Sequence, residues 1–385
     1  MHISLVSETY PPEINGVSLT VQALAAGLVA AGHRVELVRP RQKIEADAAE
    51  AGMEVRRMRG LPLPRYPGLQ LGLPCRHRLQ RQWRKDRPDA VYVATEGPLG
   101  GSALTAARRL GIPAISGFHT RFDTYAGHYG VAWLRPMVEA WLRRFHLRSL
   151  ATLVPTQALA AEIAAIGIDN ARLLRRAVDT RLFCPEKRDP ALRRDWQADE
   201  ASVVVLFVGR IAPEKNLDLA IHSWQAIRAA CPGSRCVWVG DGPARAELER
   251  AHPEIHFTGM LRGEALARHY ASADVFPFPS MSETFGNVVL EALASGLGVI
   301  AYDQAAAHEH MVDGENGSLV SSGDAGRFVE SCLELATDPA RRRACGRQAR
   351  ASVANLAPQR VIAEFAAILA SVSHGNDHVI QTAPA

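Results

Sequence analysis

The chain contains no run approaching the roughly 20 uncharged apolar residues that a membrane-crossing helix needs. Its opening, MHISLVSETYPPE, has neither the basic flank nor the apolar stretch of a secretory leader, so a cytoplasmic protein is expected. Cysteine is sparse. Cys75, Cys184, Cys231, Cys236, Cys332 and Cys345 are scattered without C-x2-C or paired spacing, which leaves no zinc site or disulfide framework to read and makes them free thiols. Aromatic residues make up only 6% of the 385, and they do not interleave with arginine as a nucleic-acid surface requires, so no nucleic acid is expected as a partner. Excess charge is also small, at +4.

What is present is ordinary globular composition, 47% hydrophobic and 22% charged, in a chain longer than one hydrophobic core usually serves. Two domains are expected. Short apolar runs at His2 to Ser7, Arg34 to Val38, Ala90 to Ala94, Pro113 to Gly117 and Thr152 to Pro155 alternate with helical segments such as Ser18 to Ala31 and Ser102 to Leu110. The alternation restarts at Ser202 to Val208 and continues through Arg235 to Val239, Ile255 to Thr258, Ala273 to Phe276 and Gly298 to Ala301. That is an α/β chain of two doubly wound, Rossmann-like parallel sheets. The expected division is 1–190 and 191–357, with the polar stretch Pro185 to Glu200 as the connection. A final helix at 358–371 could belong to either domain, and 372–385 is a polar tail expected to be disordered.

The most informative stretch runs from Pro279 to Gly296, between a strand and a helix apolar nearly all round. A carboxylate on such a helix is costly unless partnered, so Glu291 needs either a diol such as a ribose or an internal pairing with an arginine or backbone amides. The helix start at Phe285, Gly286 and Asn287 offers free N–H groups and the positive end of the helix dipole, which suit a phosphate; a plain glycine turn is the other reading. A second loop, Gly209 to Asn216, places Arg210 and Lys215 at the carboxyl end of a strand, the edge where open α/β sheets bind ligands. Each cation within about 4 Å of a diphosphate oxygen would contribute on the order of 4 kcal/mol at an effective dielectric near 20. Alternatively, Lys215 pairs with Glu214 or Asp218 on the surface. Gly240-Asp241-Gly242-Pro243 is a tight glycine turn that lacks the spacing of a nicotinamide fingerprint.

Together these segments resemble the retaining glycosyltransferases of family 4, and the resemblance spans nearly the whole chain. It rests on Glu283-x7-Glu291, Gly209-Arg210 with Glu214-Lys215-Asn216, Gly240 to Pro243, and Val178-Asp179 with Phe183-Cys184-Pro185. It extends to Tyr10 to Val17 and Gly117 to Phe122 in the first half. It implies the GT-B fold, two facing Rossmann-like domains with a cleft between them. It further implies that Arg210 and Lys215 bind the donor diphosphate, Glu291 the ribose and Glu283 the transferred sugar. Gly16 would lie close to the phosphates, and His119 would contact the sugar, although a lone histidine after a strand is equally a hydrogen-bonded structural residue.

His119-Thr120-x-Phe122 with Tyr125 and Tyr129-Gly130 is closest to family members acting on lipids, mannosyl and sulfoquinovosyl transferases among them. Ala177 and Leu356-Ala357 depart from the glycine and tryptophan common there. The implied activity is transfer of a mannose- or glucose-type hexose from GDP-mannose or a UDP-hexose to an acceptor hydroxyl. The nucleotide sugar is a substrate, no cofactor is expected, and no metal is expected because a clear D-x-D motif is absent. No acceptor-binding residue is assigned. A sugar-nucleotide epimerase or hydrolase, or a non-catalytic nucleotide-sugar-binding protein, are the alternatives on the same fold. Arginines in 76–85 and 133–148 either solvate helix faces or meet an anionic membrane surface, with Trp83, Trp133 and Trp141 at the interface.

Overall fold

A computed structural model describes residues 1–13, 15–42, 50–62, 70–119, 135–281, 283, 285–373 and 375. The chain forms two compact units, residues 1–175 with the helix Pro358–Ser373, and residues 176–357.

The first unit carries β1 (His2–Val6), β2 (Arg34–Pro40), β3 (Glu54–Met58), β4 (Gly60–Pro62), β5 (Gln70–Gly72), β6 (Ala90–Val93), β7 (Ala114–Gly117), β8 (Thr152–Val154) and β9 (Ala171–Leu173). Seven of these form a parallel sheet in the order β3-β2-β1-β6-β7-β8-β9, and β4 pairs with β5 as a separate hairpin. The central strands are buried on both faces, which is why they read as apolar runs rather than alternating ones. Helix Gly16–Ala30 starts at Asn15, whose side chain accepts from Ser18 N at 2.8 Å. Helix Pro98–Leu110 stops at Gly111, which adopts φ 62°, a conformation glycine reaches without steric cost.

The second unit holds β10 (Val204–Val208), β11 (Arg235–Val239), β12 (Ile255–Gly259), β13 (Val275–Phe278), β14 (Gly298–Tyr302) and β15 (Ser318–Val320). Its sheet is parallel with the order β12-β11-β10-β13-β14-β15. β10 divides its side chains between two cores: Val204, Leu206 and Val208 on one face, Val205 and Phe207 on the other.

Three sequence expectations differ from the structure. The unit boundary falls at 175/176 rather than 190/191, because 176–200 packs on the second unit. Val178, Phe183, Trp196 and Ala198 enter its core, and two arginines of the polar stretch expected to be the connection brace it to that unit. Arg193 is nearly fully buried and donates to Asp274 at 2.9 Å and to the carbonyls of Ser272, Asp199 and Ser202. Arg188 joins the same Asp274 at 3.0 Å. Asp274 also accepts from Val204 N, so its strand begins at Val275, not Ala273. Finally, the last helix runs to Ser373 with Val372 buried, past the expected 371, and 376–385 lies outside the described residues. That helix packs on Gly16–Ala30, where Gly27 leaves room for Ile362.

Candidate active site

At the carboxyl edge of the second sheet, the loops after β10 and β11 are joined backbone to backbone. Gly209 N donates to Val239 O at 3.0 Å, Ile211 N to Asp241 O at 2.9 Å and Ala244 N to Ile211 O at 3.2 Å. A Cβ at Gly240 or Gly242 would overlap the carbonyls of Gly209 or Ile211, so the glycine turn is a packing requirement. The β10 loop continues as one 3-10 turn, Pro213–Lys215, and enters helix Leu217–Ala230 through Asn216 at φ 54°. Asn216 Nδ2 donates to Pro279 O at 3.3 Å, tying this loop to the one after β13.

That tie carries Lys215 onto Glu283. The ammonium contacts Glu283 Oε1, which also accepts from the Ser280 hydroxyl at 2.9 Å. Lys215 Nζ stands 5.9 Å from the Phe278 ring centroid. Glu214 therefore does not hold Lys215. It pairs with Arg210 at 3.2 Å, and Arg210 remains about half exposed, so an incoming anion can compete for it at little cost.

Gly286, at φ 87°, caps helix Asn287–Ala294 without a side-chain bond, leaving first-turn amides free of a cap. Phe285 is buried and its carbonyl accepts from Ala306 N at 2.9 Å, while Gln304 Nε2 donates to Ser280 O at 2.5 Å. The 304–306 turn thus holds the 280–285 loop at both ends. Asn287 Oδ1 makes no hydrogen bond among the described residues. Glu291, one turn into the helix, receives the Tyr270 hydroxyl at 2.9 Å on Oε2. Protein crowds this carboxyl although some surface stays open; burial pushes its pKa up to about 7, and the Tyr270 bond pulls it down only in part. The internal partner is neither arginine nor amide. One hydroxyl donor leaves most of a carboxylate's acceptor capacity for a diol.

Lys215, Glu283 and Gly286 are brought together, with Phe285, Asn287 and Glu291 on the same loop and helix; Arg210, on the loop of Lys215, pairs with Glu214. Gly16 and His119 belong to the first unit. Gly16 opens helix Gly16–Ala30, and apart from its chain neighbours and its own helix backbone no described atom lies within 4 Å of where its Cβ would stand. His119 follows β7, is 8% exposed, and its Nε2 lies 2.5 Å from the Tyr92 hydroxyl. Sequence reasoning missed Tyr270, Gln304 and Tyr92, which are reached through the fold and carry no local motif, and it gave no role to Ser280, which lies inside the Pro279 to Gly296 stretch three residues from Glu283.

Thr120, Phe122, Tyr125, Tyr129, Gly130 and Trp133 lie outside the described residues. Trp83 is corrected: it is fully buried, and its Nε1 donates to Glu36 at 2.9 Å, so it does not face an interface. Trp141 is 44% exposed. Among the described residues no helix is long and apolar enough to cross a membrane.

Residues 14–182 match the family described as Glycosyltransferase Family 4, and residues 202–338 match Glycosyl transferases group 1. The GDP-mannose-dependent alpha-mannosyltransferase of Mycobacterium tuberculosis (strain CDC 1551 / Oshkosh) is 37% identical over 84% of this chain and 85% of its own. The chain belongs to glycosyltransferase family 4. This hexosyltransferase is also 32% identical to sulfoquinovosyl transferase SQD2 of Arabidopsis thaliana, over 78% of this chain and 60% of that one. Its GT-B fold is shared with sucrose-phosphate synthase from Thermosynechococcus elongatus, at TM-score 0.79 and 18% identity, covering 97% of this chain and 99% of the other. It is a glycosyltransferase that draws on a nucleotide sugar.

Proposed function

We propose that the protein transfers mannose from GDP-mannose, with retained configuration, to a hydroxyl of a lipid or lipid-linked acceptor at an anionic membrane surface. The observation that carries the donor reading is the Lys215 and Glu283 pair beside the uncapped helix start at Gly286, with Arg210 on the same loop as Lys215. The names of the relatives favour GDP-mannose over a UDP-hexose.

In this reading the diphosphate meets Lys215, Arg210 and the amides of Asn287 and Val288, and the ribose diol meets Glu291. The bond between C1 and the phosphate oxygen breaks, and its electron pair stays on the diphosphate, whose growing charge these donors stabilise. The acceptor oxygen attacks C1 from the same face and passes its proton to the departing phosphate oxygen. Glu283 and His119 orient the sugar, Gly16 lies close to the phosphates, and neither a protein nucleophile nor a metal takes part. This differs from a retaining glycosidase, which needs a carboxylate pair to form and release a covalent intermediate.

The membrane reading is supported by helix Arg135–His146 and the turn after it, where Met137, Trp141, Leu147 and Leu150 are exposed beside Arg143 and Arg144. An adjoining groove of about 400 Å³ is lined by Arg76, His77, Thr105, Trp141 and Arg148, with no carboxylate among the described residues.

The test is mannose transfer from GDP-mannose to phosphatidylglycerol vesicles carrying diacylglycerol, in EDTA. Lys215→Ala should lose roughly 100- to 1000-fold in kcat, the scale of losing a charge-stabilising donor. Unchanged turnover in that variant would defeat the donor-site reading. Transfer that stops in EDTA would defeat the metal-free one.

A further inference from the structure

Tyr92 is fully buried on β6, and strand pairing sets it opposite Ile115 on β7, next to the residues that lead into His119. Its hydroxyl lies 2.5 Å from His119 Nε2, with the two rings nearly perpendicular at 83°. Gly117 makes room for this bond: a Cβ there would overlap both the Tyr92 oxygen and His119 Nε2. Gly117 does not have a positive φ, so the hydrogen-bonded pair, and not the backbone, calls for glycine.

Behind Tyr92 stands Phe365, edge to face at 5.0 Å between ring centroids and 75° between planes. Phe365 is fully buried and comes from helix Pro358–Ser373, the segment that follows the second unit in sequence yet packs in the first. Three side chains from distant parts of the chain therefore stand in line: Phe365 fixes the Tyr92 ring, and Tyr92 meets one nitrogen of His119.

We propose that Tyr92 is a positioning residue for His119, backed by Phe365, so that the last helix helps set the rate of sugar transfer. The Tyr92 hydroxyl donates to Nε2, which places the imidazole proton on Nδ1 and fixes both the tautomer and the plane of the ring. Held this way, the ring keeps one orientation toward the sugar. The inference rests on the reading of His119 as a sugar contact.

Tyr92→Phe removes the hydroxyl and keeps the contact with Phe365. Measured as GDP release from GDP-mannose, kcat should fall roughly 10- to 100-fold, the scale of a misplaced catalytic contact, with KM for GDP-mannose within about twofold. On a His119→Ala background the same change should alter kcat less than about twofold, because the two residues act as one unit. In protein labelled with 15N-histidine, His119 should report a proton on Nδ1, and Tyr92→Phe should turn that into a mixture of tautomers. Phe365→Leu should lower kcat in the same direction and by less. A Tyr92→Phe protein with unchanged kcat, or an equal loss on the His119→Ala background, overturns the inference while leaving the His119 reading standing. Full turnover by His119→Ala alone would defeat that reading and this one with it.

Discussion

Among the described residues, burial pushes a carboxyl up to about 7 in each unit, Glu8 in the first and Glu291 in the second. Their partners differ in kind. Glu8 Oε1 accepts from Leu99 N at 2.9 Å and Oε2 from Gly72 N at 3.2 Å, so it plugs the start of helix Pro98–Leu110, where Gly97 leaves space for it. Glu291 has the Tyr270 hydroxyl on a single oxygen. A raised pKa alone would mark both as functional. The partners separate them: the oxygens of Glu8 are taken by fixed backbone amides, whereas Glu291 keeps acceptor capacity toward an open face.

Glutamine substitutions should pull the two apart. In Glu8→Gln one amide donor group must face a backbone N–H, which leaves that N–H unsatisfied in a buried place, and a loss of about 2 to 3 kcal/mol is expected in denaturant unfolding. Glu291→Gln should do the opposite in ligand-free protein. Its folded pKa of about 7 lies above the ordinary 4.5, so the stabilising contribution of the carboxyl is full below about 4.5 and lost as pH rises through 7. Glutamine has no such loss. The variant should match the wild type near pH 5 and exceed it in melting temperature at pH 8. Equal destabilisation by both substitutions would erase the distinction between the two sites.

Donor binding sharpens the same contrast with a smaller effect. If a ribose diol donates to Glu291, the carboxylate must be ionised, and GDP-mannose, whose diphosphate does not titrate in this range, should bind roughly tenfold more tightly at pH 8 than at pH 6. Calorimetric titration of Glu291→Gln should be flat over the range, whereas Glu8→Gln should leave the slope in place. A slope that survives in Glu291→Gln assigns the titration elsewhere.

The donor-site loops were legible because their signals are local: Arg210, Lys215, Glu283 and Gly286 each stand next to a strand end or helix start within a few residues of the motif that marks them. What the sequence concealed was held by contacts across the fold. Glu8 meets residues 64 and 91 positions away, Tyr92 meets His119 across 27, and Tyr270 meets Glu291 across 21. The polar stretch 185–200 was misread for the same reason: Asp274, the common target of Arg188 and Arg193, comes more than 80 residues later. Short edge strands such as β9 and β15, three residues each, offer too little periodicity to be distinguished from loop.

The smallest effect concerns the turn that holds the site loop. Ala305 adopts φ 50°, between Gln304, which donates to Ser280 O, and Ala306, whose N–H donates to Phe285 O. A Cβ in the left-handed region costs about 1 kcal/mol or somewhat more, and glycine removes that cost while giving back part of it in unfolded-state entropy. Ala305→Gly should therefore gain about 0.5 kcal/mol in denaturant unfolding and leave kcat within twofold. A variant that is more stable but clearly slower would mean that the strained turn sets the position of Glu283 and the helix start. The second unit would then hold its site under tension in a way that the amide-filled seat of Glu8 in the first unit does not.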